Sequence, residues 1–177
     1  MSNPAAPACI RVAQVSAKLA AAVRALRVTP EQSAYVGDVA FNLTDAERDP
    51  LSDPMAVLAD DCVVGYYRLD FAPNTITGSD SGEPTLGLRG MLIDHNVQGR
   101  GYGTLALHAC CEDARQRHPK HRLLVLAVHC CNHAAIAAYA RAGFHDTGER
   151  LAGGAAGPQL LMQRHLQAAT PEPPPSR

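Results

Sequence analysis

Gln98-Gly99-Arg100-Gly101-Tyr102-Gly103 is the stretch whose reading decides this chain. An apolar run, Leu86 to Ile93, precedes it, and a helix-forming run, Thr104 to His118, follows it. A glycine-rich turn between a strand and a helix makes an anion cradle. The first N–H groups of a helix lack intrahelical partners, and the helix dipole adds roughly half a positive charge there. Gly99, Gly101 and Gly103 let a pyrophosphate approach the main chain because no Cβ stands in the way. The spacing excludes two common cradles. In a dinucleotide G-x-G-x-x-G counted from Gly99, the last glycine would fall on Thr104, and a P-loop would need a Gly-Lys-Ser/Thr ending that is absent. What stands here is Q-x-x-G-x-G.

A second pattern follows about thirty residues on. Leu123 to Val128 is an unbroken apolar run, the mark of a buried strand. Asn132, Ala135, Tyr139, Gly143 and Phe144 come next, spelling N-x-x-A-x-x-x-Y-x-x-x-G-F. His133 to Arg141 is alanine-rich and helix-forming, Asn132 suits its N-cap, and Gly143 suits its end. In order and spacing the two patterns resemble the signatures of the GNAT N-acetyltransferase superfamily. They span Leu86 to Phe144, a third of the chain. Softer matches, Val28 to Gln32 with Tyr35-Val36 and Arg89 to Asp94, resemble its bacterial polyamine and diamine acetyltransferase branch.

The resemblance implies an α/β (α+β) fold with a mixed, mostly antiparallel sheet flanked by helices, in the order β-α-α-β-β-β-α-β-α-β-β. It implies acetyl-CoA as the acetyl donor. Backbone amides of Met91, Leu92 and Ile93 would hold the pantetheine and the acetyl carbonyl. Those from Gln98 through Gly99, Arg100, Gly101, Tyr102 and Gly103 to Thr104 would hold the pyrophosphate, with the Arg100 side chain as either an extra phosphate partner or a solvated loop residue. Asn132 joins the cofactor-binding set. Tyr139 is the catalytic candidate, donating a proton to the departing thiolate. Many family members carry a glutamate on the fourth strand as base, but Gly87 stands at the corresponding place. Glu83 and Asp94 read as solvated acids, so a water relay is expected and no base is assigned.

The implied reaction is attack of a primary amine of a small molecule, such as a polyamine, directly on the thioester. Transfer to an antibiotic amine or a protein N-terminus, and a non-catalytic acyl-CoA sensor, are the alternatives. Asp45, Glu47, Asp49, Asp53, Asp80 and Glu83 lie in two polar stretches, Phe41 to Pro54 and Ala72 to Pro84, both read as loops. They form either an acidic funnel for a polyamine or ordinary solvated loop surface.

The remaining chain sets bounds. At 177 residues it suits one domain with a real core, 10–166, between a flexible N-terminus, 1–9, and a disordered proline-rich tail, 167–177. A formal net charge of −1 gives no argument for nucleic acid or anionic membrane. No apolar run approaches the ~20 residues that span a bilayer, and Met1 to Cys9 lacks the features of a secretory signal, so a cytoplasmic protein is expected. A homodimer stays open. Four of the six cysteines form vicinal pairs, Cys110-Cys111 and Cys130-Cys131, which suit reduced thiols better than a disulfide framework. His129-Cys130-Cys131-Asn132-His133 carries ligand-type side chains, but strand alternation sends neighbours to opposite faces, so no metal site is expected.

Overall fold

The computed structural model describes residues 9–78, 82–153 and 157–166. The expected tail, 167–177, and all but Cys9 of the expected flexible N-terminus lie outside the described residues.

Seven strands form one sheet: β1 (Ile10–Gln14), β2 (Ser52–Ala59), β3 (Cys62–Asp70), β4 (Thr85–Ile93), β5 (Leu123–His129), β6 (His145–Leu151) and β7 (Gln159–His165). Their spatial order is β1-β2-β3-β4-β5-β7-β6. Among the described residues only β4 and β5 pair in parallel; the other neighbours are antiparallel. The helices are α1 (Ala17–Ala25), α2 (Pro30–Val36), α3 (Val39–Arg48), the single turn α4 (Asn74–Thr77), α5 (Tyr102–Arg117) and α6 (His133–Arg141). The mixed, mostly antiparallel sheet and its flanking helices are those the sequence resemblance implied.

Period-two alternation in the central strands fills both faces of the sheet. On β2, Met55 and Val57 join the core under α5, together with Leu107 and Cys110. Ala56 and Leu58 point the other way, against Val23 of α1 and Leu43 of α3. Both faces are therefore covered along these strands, which explains why β2 and β3 are buried almost throughout.

Three boundaries differ from the sequence reading. The stretch from Phe41, read as a loop, is mostly helix α3. Helix α2 stops at Val36 because Gly37 turns left-handed at φ 71°, a conformation that favours glycine. Asp38 then caps a new helix, accepting from the Phe41 N–H at 2.7 Å, and Val39, Leu43 and Ala46 bury one face. The second expected loop contains α4, with Ile76 packed against the sheet. Finally, α5 begins at Tyr102, two residues before the expected start, so the glycine turn itself supplies the first helical turn.

Candidate active site

Pairing between β4 and β5 covers only Thr85–Gly87 against Leu123–Val125. Beyond it the strands part. β4 also bulges: Tyr66 faces Leu92 and Arg68 faces Arg89, so Gly90 and Met91 together oppose Tyr67. Gly90 takes φ 62° there. One edge of β4 is thus left without a strand neighbour, and its main-chain groups border a cleft.

The cleft holds a cavity of about 400 Å³. Its upper wall is the entrance of α5. Gly99 and Gly101 have φ values of 77° and 79°, both left-handed, which glycine tolerates without strain. Gly101 is the N-cap, and the first intrahelical bond runs from the Leu105 N–H to the Gly101 carbonyl. The N–H groups of Tyr102, Gly103 and Thr104 therefore have no intrahelical acceptor, and all three residues line the cavity. A Cβ on Gly103 would meet nothing closer than Ile93 Cγ1 at 3.9 Å, so the protein leaves this space open for a ligand.

Met91, Leu92, Ile93, Gln98, Gly99, Gly101, Asn132 and Tyr139 line the same cavity. Of the residues the sequence singled out, Arg100 alone is outside this lining, and it is exposed. The Gln98 side chain is engaged within the protein. It donates to the Ile93 carbonyl at 2.8 Å and exchanges two 3.0 Å bonds with Gln32, tying the turn to β4 and α2. Asn132 caps α6, its Oδ1 accepting from the Ala135 N–H at 3.2 Å. Gln32 and Arg141 also line the cavity and were missed in the sequence. The periodicity of α6 could have flagged Arg141, which follows Ala134 and Ala138 by seven and three residues.

Tyr139 is 9% exposed and also borders a second cavity, of about 410 Å³, on the far side of the gap. Its hydroxyl makes no hydrogen bond among the described residues. Burial raises its pKa above the ordinary phenol value, and the nearby Cys110 thiol adds to the rise. The group is a neutral donor at any physiological pH.

The acids near the site are held in structural roles. Burial pushes the Asp94 carboxyl up, but bonds from the Arg27 and Asn96 N–H groups outweigh that and hold it low. A side chain at Gly87 would require Ile76 to shift. A Cβ there would stand 2.5 Å from Ile76 Cδ1 and 3.1 Å from the Cβ of Asp70, its cross-strand partner. His129 lines the second cavity, but its Nδ1 accepts from the Cys131 N–H at 3.2 Å and its Nε2 is buried.

The acidic funnel does not assemble among the described residues. Glu47 pairs with Arg24 at 2.8 Å, and Asp53 is buried in a pair with Arg117 at 2.9 Å. Asp49 follows α3 and accepts from the Leu51 N–H. Asp45 does line the second cavity, bound to Arg68 at 2.6 Å. Asp80 lies outside the described residues. Also among the described residues, no group of three or more His, Cys, Asp or Glu side chains could hold a metal ion.

The sequence profile of the Acetyltransferase (GNAT) family matches residues 11–144. The chain belongs to the GNAT acetyltransferase family. It is an acetyl-CoA-dependent N-acetyltransferase. The solved structures similar to it share its fold at low identity. One is AAC(6')-Ib in complex with paromomycin and acetyl-CoA, with TM-score 0.69, 18% identity, and coverage of 88% of this chain and 93% of that one. Another is spermidine N-acetyltransferase from Vibrio cholerae in complex with CoA and spermine, with TM-score 0.66, 12% identity, and coverage of 89% and 95%. A third is aminoglycoside N(6')acetyltransferase from Legionella pneumophila, with TM-score 0.69, 14% identity, and coverage of 93% and 96%. No curated protein matches the chain by sequence. Among the described residues no helix is long and apolar enough to cross a membrane.

Proposed function

We propose that this acetyltransferase acts on the primary amine of a small molecule by direct attack on acetyl-CoA, with Tyr139 as general acid. One observation carries the reading: the open entrance of α5 and the Tyr139 side chain line one cavity. The N–H groups of Gly101 to Thr104 grip the pyrophosphate, by charge-assisted bonds worth about 1.5–3 kcal/mol each. The main chain of Met91 to Ile93, freed by the splay of β4 from β5, holds the pantetheine and the acetyl carbonyl. The thioester then lies beside Tyr139, and the amine enters from the second cavity, which Tyr139 also borders.

The ammonium first loses one proton to water, because the Gly87 position carries no carboxylate. The neutral nitrogen then bonds the acetyl carbon as the C–S bond breaks, with the Tyr139 hydroxyl hydrogen-bonded to the departing sulfur. The sulfur takes its proton from Tyr139, and the proton shed by the new amide nitrogen returns to Tyr139 through water. Direct attack is favoured over an acetyl-cysteine intermediate. No cysteine lines either cavity among the described residues, and burial pushes the thiols of Cys110 and Cys111 up, the latter to about 11. The six free cysteines suit a reducing cytoplasm.

Thiol release from acetyl-CoA across a panel of amines tests the reading. Turnover with a small primary amine supports it; tight CoA binding with no turnover of any small amine across the panel overturns it.

A further inference from the structure

The second cavity has a charge pattern that the family membership does not specify. Among the described residues lining it, the permanently charged ones are Asp45, Arg68 and Arg89. The two arginines sit directly opposite each other on β3 and β4. Like charges in cross-strand register repel, and such a pair is destabilising unless something neutralises it. Each guanidinium has one carboxylate partner: Arg68 Nη1 meets Asp45 at 2.6 Å, and Arg89 Nη1 meets Asp70 at 3.2 Å. Asp70 is 3% exposed and does not line the cavity, so the face turned to a ligand carries two cations and one anion.

The arginines also have donors to spare. Arg68 is 5% exposed, and its Nε is buried without a partner. The Asp45 bond is its only side-chain hydrogen bond among the described residues, and the Asp70 bond is likewise the only one for Arg89. A guanidinium has five N–H donors in a fixed fork that matches the two oxygens of a carboxylate or phosphate. Tyr35 and Phe41, 38% and 70% exposed, line the same cavity and offer apolar surface to the body of an organic ligand.

We propose that the acetyl acceptor is an amine that also bears an oxyanion, a carboxylate or phosphate, which docks on Arg68 and Arg89 while the amine reaches the thioester beside Tyr139. The inference rests on the acetyl-transfer reading above. It disfavours a polycation as the preferred acceptor, since every additional ammonium would face this arginine pair, and among the described residues lining the cavity the one carboxylate, Asp45, is already paired with Arg68.

The test compares four probes of equal chain length by thiol release from acetyl-CoA: an ω-amino carboxylate, an aminoalkyl phosphate, a diamine and a neutral monoamine. The expected result is a kcat/KM at least about tenfold higher for one of the two anionic probes than for the diamine. The better of the two identifies which oxyanion the site takes. Arg89→Gln, at a half-exposed position that spares the buried Arg68, should raise KM for that probe at least about tenfold, the loss of one charge-assisted hydrogen bond. Its CoA affinity should be unchanged, and its preference over the monoamine should collapse. Preference for the diamine or the monoamine, or an unchanged KM in Arg89→Gln, overturns the inference and leaves acetyl transfer standing. Absence of turnover with all four probes and with the wider amine panel overturns both.

Discussion

Replacing Tyr139 by phenylalanine removes one hydroxyl that has no hydrogen-bond partner among the described residues. The ring contact with Phe144, at 5.8 Å between centroids, stays, so the fold is expected to survive. The catalytic effect follows from proton affinities. An ordinary phenol near 10 and a thiol near 8.5 make full transfer uphill by about 2 kcal/mol. Burial raises Tyr139 further and makes complete transfer harder still. The hydroxyl therefore contributes chiefly as a hydrogen bond to the developing thiolate, about 1.5–3 kcal/mol. That corresponds to a loss of about 10- to 150-fold in turnover. CoA affinity should change by less than about threefold, because the bond to a neutral thioester sulfur is weak. Stopped-flow or continuous thiol release at saturating acetyl-CoA, with calorimetric CoA titration beside it, measures both quantities. The sign of the pH dependence follows as well. A phenol raised above its usual value stays protonated to at least about pH 10, so Tyr139 produces no alkaline fall below that. Turnover within about threefold of the unaltered enzyme, or a loss matched by equally weakened CoA binding, would refute the acid role.

Other substitutions probe separate parts of the account. Gly103→Ala places a methyl in open cavity space rather than against protein, so it should stabilise α5 by about 0.5–1 kcal/mol while weakening CoA at least about tenfold; thermal unfolding and calorimetry should move in these opposite senses. Gly87→Glu, which restores the carboxylate common in the family, should not raise turnover, because its Cβ collides with Ile76; it should destabilise by about 1–3 kcal/mol in urea unfolding. Arg117→Ala leaves the buried Asp53 with a Gln14 hydrogen bond and His118 Nε2 at 4.0 Å as its remaining side-chain partners and should cost about 3 kcal/mol of stability with CoA affinity intact. A stability change below about 1 kcal/mol would show that the Asp53 pair contributes little.

What the sequence disclosed is what local chemistry controls. The glycine turn, the Asn132 cap and the Tyr139 spacing are fixed within a dozen residues each, and α6 runs over the residues its composition predicts. Thr29 and Gln32 close a capping box at the start of α2 by equally local chemistry. Helix α3 escaped because its stripe of Val39, Leu43 and Ala46 is narrow and lies among Asn42, Thr44, Asp45 and Glu47, with prolines following. Three of the acids weighed as either funnel or solvated loop, Asp45, Glu47 and Asp53, are claimed by Arg68, Arg24 and Arg117, partners 23 or more residues away. The arginine pair of the second cavity is created by β3–β4 register, with a bulge inside it, and a bulge shifts every residue beyond it. No local pattern announces such a pairing.

The most direct test of the central claim is a crystal structure with CoA bound. The account predicts pyrophosphate oxygens about 3 Å from the main-chain nitrogens of Tyr102, Gly103 and Thr104, and the thiol within hydrogen-bond reach of the Tyr139 hydroxyl. A pyrophosphate seated elsewhere, or a sulfur out of reach of that hydroxyl, would contradict it.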